Sequence, residues 1–276
     1  MIVAIVGDNK TCKTTLALTW PKPLYHAEFD IGGFERASGR FTAEIDRKEI
    51  VSVQYAFPSQ YIKDKLLGKQ GVSIKVVSRL TGVKELWYRF IADTTGIIES
   101  KRFASVVIDS FPQMWEVCHG AYLQEKQEAQ LDAKGNLSTN QRVLRERLQP
   151  EEYSEPNKRV RELIYAFRMG RVNLLLPIFI TDRREKRLVA QSDGSQKVEE
   201  IIVGTMPAGW NEKHLIKEVD LAIATSVRRT ELKKGEVSYK PVVTVQASGL
   251  GLELIEAEID PPSYQGLMST RELLCG

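Results

Sequence analysis

Cysteine and histidine are both scarce, three of each in 276 residues. Cys12, Cys118 and Cys275 have no metal-ligand spacing and are too few for a disulfide framework, so a reducing cytoplasm is the expected compartment. His26, His119 and His214 are scattered, which argues against a metal centre built on imidazoles. No apolar run is long enough to span a bilayer, and no membrane partner is expected. The first apolar run, IVAIV, is five residues long and leads straight into a turn, so no secretory signal is expected either. Neither sign of charge dominates: 39 Lys and Arg against 36 Asp and Glu leave +3. That balance does not by itself indicate nucleic-acid binding, although a basic patch can hide within it. There is no internal repeat and no low-complexity tract. What remains has the composition of a soluble globular chain with enough apolar residues for a sizeable core.

The periodicity alternates between strand and helix. Val3 to Val6 reads as a buried strand and Lys13 to Trp20 as a helix closed off by Pro21 and Pro23. LYHAEF follows as a second strand, ending in Asp30 and the turn residues Gly32 and Gly33. Strand, turn, helix and strand in this order open a βαβ unit and imply a parallel sheet. Between 34 and 100 the signal is mixed, with β-like pieces (EIVSVQYAF, VSIKVV) and a helical piece, KELWYRFIADTTGIIES, so an insertion or irregular region is expected there. FASVVID is a buried strand, 113–170 is mostly helical, and DAKGNLST interrupts it as a candidate mobile loop. VNLLLPIFIT reads as a central strand in which Pro177 demands a bulge or an edge. A polar loop follows, and VDLAIATSV and YKPVVTVQA then alternate like strands before a tail of loop and short helix. The expected fold is α/β, a mostly parallel central sheet flanked by helices, as one domain over 1–276 with insertions.

The chemistry concentrates in GDNKTCKTT. Gly7, Asp8, Asn9, Lys10, Thr11, Cys12, Lys13, Thr14 and Thr15 follow a strand and open a helix, the setting in which backbone N–H groups curl round phosphates. Lys13 is placed to reach β- and γ-phosphates and Thr14 to bind Mg²⁺. Cys12 stands where glycine is usual, so its side chain must point away from a phosphate or crowd it. In VVIDS, Asp109 ends a strand and is placed to hold Mg²⁺, with Ser110 orienting it. Asp30 and Glu28 end the second strand, where a carboxylate can activate water. Asp182 ends the VNLLLPIFIT strand. Arg183, Arg184, Lys186 and Arg187 follow it as a basic cluster able to neutralise DNA phosphates.

With GDNKTCKTT, WPKPLYHAEFDIGG, VVIDSFPQMWE, PEEYSEPNKRVRELIYAFR, LLLPIFITDRREKR and VDLAIATSVRR in this order, the chain resembles phage-encoded RecA-like P-loop ATPases of the single-strand annealing recombination group. The resemblance implies a RecA-type core binding ATP and Mg²⁺ between subunits, hence a homo-oligomeric ring or filament. Single-stranded DNA is the implied partner, and a single-strand binding protein a candidate second one. A phage-encoded chain would act in the host cytoplasm. It also implies Asp30 as catalytic carboxylate beside Lys13, Asp109 as magnesium carboxylate, Asp182 as γ-phosphate sensor and 183–203 as the DNA-binding loop. Four departures point toward slow or absent turnover. Cys12 replaces glycine, Asp30 is one methylene shorter than glutamate, Asp182 replaces an amide or imidazole, and Gln246 and Ser248 stand where relatives carry a cation.

Two function classes therefore stay open. One is an ATP-binding, weakly hydrolysing protein that binds single-stranded DNA in recombination or annealing. The other is a degenerate P-loop protein that binds nucleotide or DNA without turnover as a structural or accessory component. A small-molecule kinase would need an arginine-rich lid and a substrate pocket between helices, and neither is identifiable.

Overall fold

The computed structural model describes residues 1–57, 79–131, 144–190, 196–207, 217–231 and 237–275, with backbone alone for 182–190, 196–207 and 231. Its centre is β1 (Ile2–Gly7), buried at all six positions. An unbroken apolar run of this kind belongs to a strand covered on both faces. The two-residue period of the strand sends its side chains into two different cores. Ile2, Ala4 and Val6 face a helical layer of α4 (Val83–Ser100), α5 (Phe111–Glu128) and α6 (Ser154–Gly170). Val3 and Ile5 face the opposite layer, formed with α1 (Lys13–Ala17), α2 (Gly33–Ser38), α3 (Thr42–Asp46) and α7 (Tyr264–Cys275).

Around β1 the strands are β2 (Leu24–Glu28), β3 (Ile50–Gln54), β4 (Ser105–Asp109), β5 (Asn173–Ala190), β6 (Gln196–Pro207), β7 (Leu221–Glu231) and β8 (Val237–Ser248). They form one eight-stranded sheet in the order β3-β2-β4-β5-β1-β7-β8, with β6 paired to β5 off this path. The first six strands of the order are parallel, and β8 closes the edge antiparallel to β7. The chain is thus an α/β protein with a mostly parallel sheet between helical layers, as its periodicity implies. Among the described residues, no helix is long and apolar enough to cross a membrane.

The helices follow from their spacing. In α4 the buried residues Val83, Leu86, Trp87, Phe90, Thr94 and Ile97 recur every three or four positions, so one stripe faces the sheet. The buried Thr94 hydroxyl is satisfied by the Phe90 carbonyl at 2.8 Å. In α6 the stripe is Pro156, Val160, Leu163, Ile164 and Phe167, with Pro156 in the first turn, where its missing N–H costs nothing.

Several expectations need correction. The stretch 34–100 supplies, in its described parts, α2, α3, β3 and α4, and β3 is the edge strand beside β2. The helix expected over Lys13–Trp20 stops at Ala17, where Thr19 turns its hydroxyl onto the Leu16 carbonyl (2.7 Å) and Lys22 reaches the Leu18 carbonyl (2.7 Å). Pro177 needs no bulge, because the ladder to β4 ends at Leu175, two residues before it. The described residues of the polar segment 183–203 are not a loop. Its described residues are two antiparallel strand segments, Ile180–Ala190 against Gln196–Pro207, with a register irregularity at Arg183/Arg184. VSIKVV and DAKGNLST lie outside the described residues.

Candidate functional site

Gly7 ends β1 and begins the loop. A Cβ there would sit 2.3 Å from Thr225 Oγ1 and 2.4 Å from the Thr225 carbonyl, so only glycine fits against β7. Thr225, buried at the level of Gly7 in the β1–β7 ladder, shares a 2.7 Å hydrogen bond with Thr11 Oγ1 and also reaches the Val6 carbonyl at 3.3 Å. Thr11 in turn donates to the Asp8 carbonyl at 2.8 Å. These contacts tie the first turn of the loop to the sheet.

Lys10 and Cys12 both adopt left-handed backbone, each with φ 65°. Cys12 therefore takes up the conformation for which glycine is favoured at this position, and it keeps its side chain exposed. The Lys13 ammonium donates to the carbonyls of Gly7 (3.0 Å) and Asp8 (2.5 Å). Burial lowers its pKa, against the pull of the Asp109, Asp8 and Asp30 carboxylates. A partly desolvated ammonium gains most from a new anionic partner.

At the foot of the loop helix, Thr14 Oγ1 donates to Asp109 Oδ2 at 2.6 Å. Asp109 is 5% exposed, and His26 Nε2 lies 3.4 Å from the same carboxylate oxygen. The His26 ring is fully buried, bonded through Nδ1 to Ser52 Oγ at 2.9 Å and packed 4.9 Å from the Phe34 ring. Ser110 does not orient Asp109 as expected: its hydroxyl donates to Gln113 Oε1 at 3.0 Å.

The two acidic residues at and just past the end of β2 separate clearly. Glu28 is buried and accepts the backbone N–H groups of Gly32 and Phe34 on Oε1, both at 3.0 Å, and the Gln54 amide on Oε2 at 2.9 Å. It is a strut for the turn that follows. Asp30 lines the cleft, with its backbone N–H and that of Phe29 both donated to the Asp109 carbonyl (3.1 and 2.5 Å).

The resulting cleft encloses about 690 Å³. The loop residues Asn9, Lys10, Thr11, Cys12, Lys13, Thr14 and Thr15 form one wall, and Asp30, Gly33, Arg36, Ala37, Asp109, Ser110 and Phe179 complete the lining. It opens at the carboxyl ends of parallel strands, where open α/β sheets place their ligands. Thr14 and Asp109 offer a hydroxyl and a carboxylate oxygen side by side, a donor pair suited to a hard cation. Among the described residues no group of three or more His, Cys, Asp and Glu could hold a metal alone. Mg²⁺ fits such a set, because it keeps several waters and takes further oxygens from a bound phosphate.

The sequence reading missed Arg36, Thr225, Glu28's strut role and His26. Only His26 left a signal: it stands two residues before Glu28 on one strand, and so on the same face as the strand's acidic end. Asp182 is three residues beyond Phe179, where the β1–β5 ladder ends level with Gly7. Its backbone pairs with Thr205 in the β5–β6 ladder, and its side chain lies outside the described residues. The same holds for the side chains of Arg183, Arg184, Lys186 and Arg187. The register sets Lys186 opposite Glu200 and Arg187 opposite Glu199. Gln246 and Ser248 belong to the far end of β8, with Ser248 opposite Leu221, whereas the loop end of β7 is Thr225.

No protein-family model matches this chain, and no curated protein matches it.

Proposed function

We propose that the chain is a RecA-like P-loop protein that binds ATP with Mg²⁺, hydrolyses it weakly and binds single-stranded DNA in phage recombination or annealing. The observation that carries the nucleotide reading is the meeting of Lys13, Thr14, Asp109 and Asp30 in one cleft, from segments up to 96 positions apart. In this reading the loop and Lys13 hold the phosphates, and Thr14 and Asp109 hold Mg²⁺. Held there, the cation would neutralise part of the phosphate charge. Asp30 takes the proton of a water that attacks the γ-phosphorus, and the bond to the β,γ-bridging oxygen breaks to leave ADP and phosphate. The strand order, with β5 between the loop strand and the Asp109 strand, supports a RecA-type core. Repetition of the site between subunits of a ring or filament belongs to the same proposal.

A second reading, binding without turnover, is favoured by Phe179. An aromatic side chain reaches the cleft from β5, and Asp182 stands three residues farther along the strand. The deciding experiment is ATP hydrolysis with and without single-stranded DNA, on wild type and on Lys13→Ala. DNA-stimulated release of phosphate that vanishes in the variant is the expected result. Binding of ATP with no turnover in either would move the conclusion to the second reading.

A further inference from the structure

Arg36 is a cation that the P-loop motif does not include, yet it lines the same cleft. Its position is built by the turn between β2 and α2. Gly32 takes φ 86° and caps α2, the Gly33 N–H donates to the Asp30 carbonyl at 3.1 Å, and the Arg36 N–H to the Gly32 carbonyl at 3.4 Å. Glu28 holds this turn from below through the N–H groups of Gly32 and Phe34. A Cβ at Gly32 would stand 3.1 Å from Arg36 Nη1, and one at Gly33 would stand 3.4 Å from Asp109 Oδ2. The glycine pair is therefore a layer of bare backbone with the guanidinium against one residue and the magnesium-type carboxylate against the next. A side chain at Gly32 would crowd the guanidinium slightly and be strained by the positive φ, whereas one at Gly33 would only touch the carboxylate.

We infer that Arg36 is the residue that reads the terminal phosphate of a nucleoside triphosphate, supplied by the same chain that supplies the loop. This rests on the nucleotide reading above and deepens it. Lys13 comes to the cleft from the loop, whereas Arg36 comes from α2, next to the glycine turn that also meets Asp109 and follows Asp30. The group between those two cations and next to Asp30 is the one a water would attack, which is the terminal phosphate. The Asp30 and Asp109 carboxylates would repel a dianionic phosphoryl group, and a guanidinium near them offsets part of that repulsion. Its planar donor fork also suits phosphate oxygens better than a point charge does. Among the described residues its guanidinium has no ion-pair partner, so it can turn to a ligand without breaking an ion pair within them. The chain thus carries its own candidate for the cation that Gln246 and Ser248 cannot provide.

The test is calorimetric titration of wild type, Arg36→Ala, Arg36→Lys and Lys13→Ala with Mg·ATPγS and with Mg·ADP. Arg36→Ala should lose about ten- to a hundredfold in affinity for the triphosphate, as expected for a charge-assisted contact, and change less than about twofold for the diphosphate. Arg36→Lys should recover part of that loss, and Lys13→Ala should weaken both ligands. Equal losses for the two nucleotides in Arg36→Ala would place the residue on the shared part of the ligand and overturn the inference. So would unchanged affinity for both. A wild type that binds neither nucleotide overturns the nucleotide reading itself, which the wild-type titration alone reveals. Arg36 is exposed, so its variants test binding without threatening the core.

Discussion

A left-handed backbone costs an L-residue about 1–2 kcal/mol, and Cys12 bears that cost at the bend of the loop. Glycine removes the strain and adds back about 0.5–1 kcal/mol of unfolded-chain entropy. Cys12→Gly should therefore stabilise the free protein by about 0.5–1 kcal/mol, seen as a Tm higher by about 2 °C. A lower Tm would mean that the thiol makes a contact worth more than the strain. Because Cys12 keeps its side chain exposed, the departure from glycine is one of local strain and of access to the cleft, with the core untouched. The other residues that shape the cleft were harder to read from sequence. Thr225 lies 214 positions from Thr11, and only the β1–β7 register brings the two hydroxyls together. His26 meets Asp109 because β2 and β4 are neighbours, a pairing that no local pattern encodes.

Elements that pack on both faces were the readable ones. β1, β4 and the first half of β5 are nearly continuous apolar runs, and α4 and α6 carry clean stripes. The outer half of β5 and all of β6 were not readable, because the first is mainly polar, the second bunches its apolar residues as IIV, and neither shows the alternation that marks a ribbon. The helix layer also contains an electrostatic joint. Arg159 of α6 donates to both carboxylate oxygens of Glu125 on α5, at 2.9 and 2.8 Å. Burial raises the Glu125 carboxyl, but the hydrogen bonds and charge of Arg159 outweigh it and hold the group below the ordinary carboxylate range. A carboxyl lowered in the folded state contributes stability above its unfolded pKa and loses it as pH falls through the folded value. Glu125→Gln should therefore cost about 1 kcal/mol at pH 7, the upper end for a surface pair, since both side chains are mostly covered, with the gap to wild type closing below about pH 4. Urea midpoints measured from pH 7 to pH 3 give the two curves. Curves that stay parallel would show that the pair contributes nothing that titrates.

At the scale of the whole molecule, two β ribbons leave the carboxyl end of the sheet on either side of the loop strand. β5 runs eleven residues past Phe179 to Ala190, and β7 six residues past Thr225 to Glu231. Charge on the first ribbon is nearly balanced. Asp182–Ala190 holds four cations and two carboxylates, and Gln196–Pro207 one cation and two carboxylates, which leaves 2 − 1 = +1. Since the register sets Lys186 and Arg187 opposite glutamates, Arg183 and Arg184 are the two to replace in testing the proposed DNA contact. In the proposed DNA reading, replacing both with alanine should reduce the salt slope of single-stranded DNA binding by about 1.4, from about 0.7 per phosphate contact. A fluorescence-anisotropy titration at several salt concentrations measures it, and an unchanged slope would remove the ribbon from the proposed DNA interface.

The same ribbon is a lever. β5 is one strand from the centre of the sheet, past an aromatic side chain in the wall of the cleft, to Ala190. Eleven residues at about 3.3 Å each give an arm of roughly 36 Å beyond that pivot. A tilt of about 5° at Phe179 therefore carries the far end through roughly 3 Å, about the length of a hydrogen bond. Displacements at the cleft too small to break its own contacts are thus large enough, at the end of the arm, to exchange one set of partners for another.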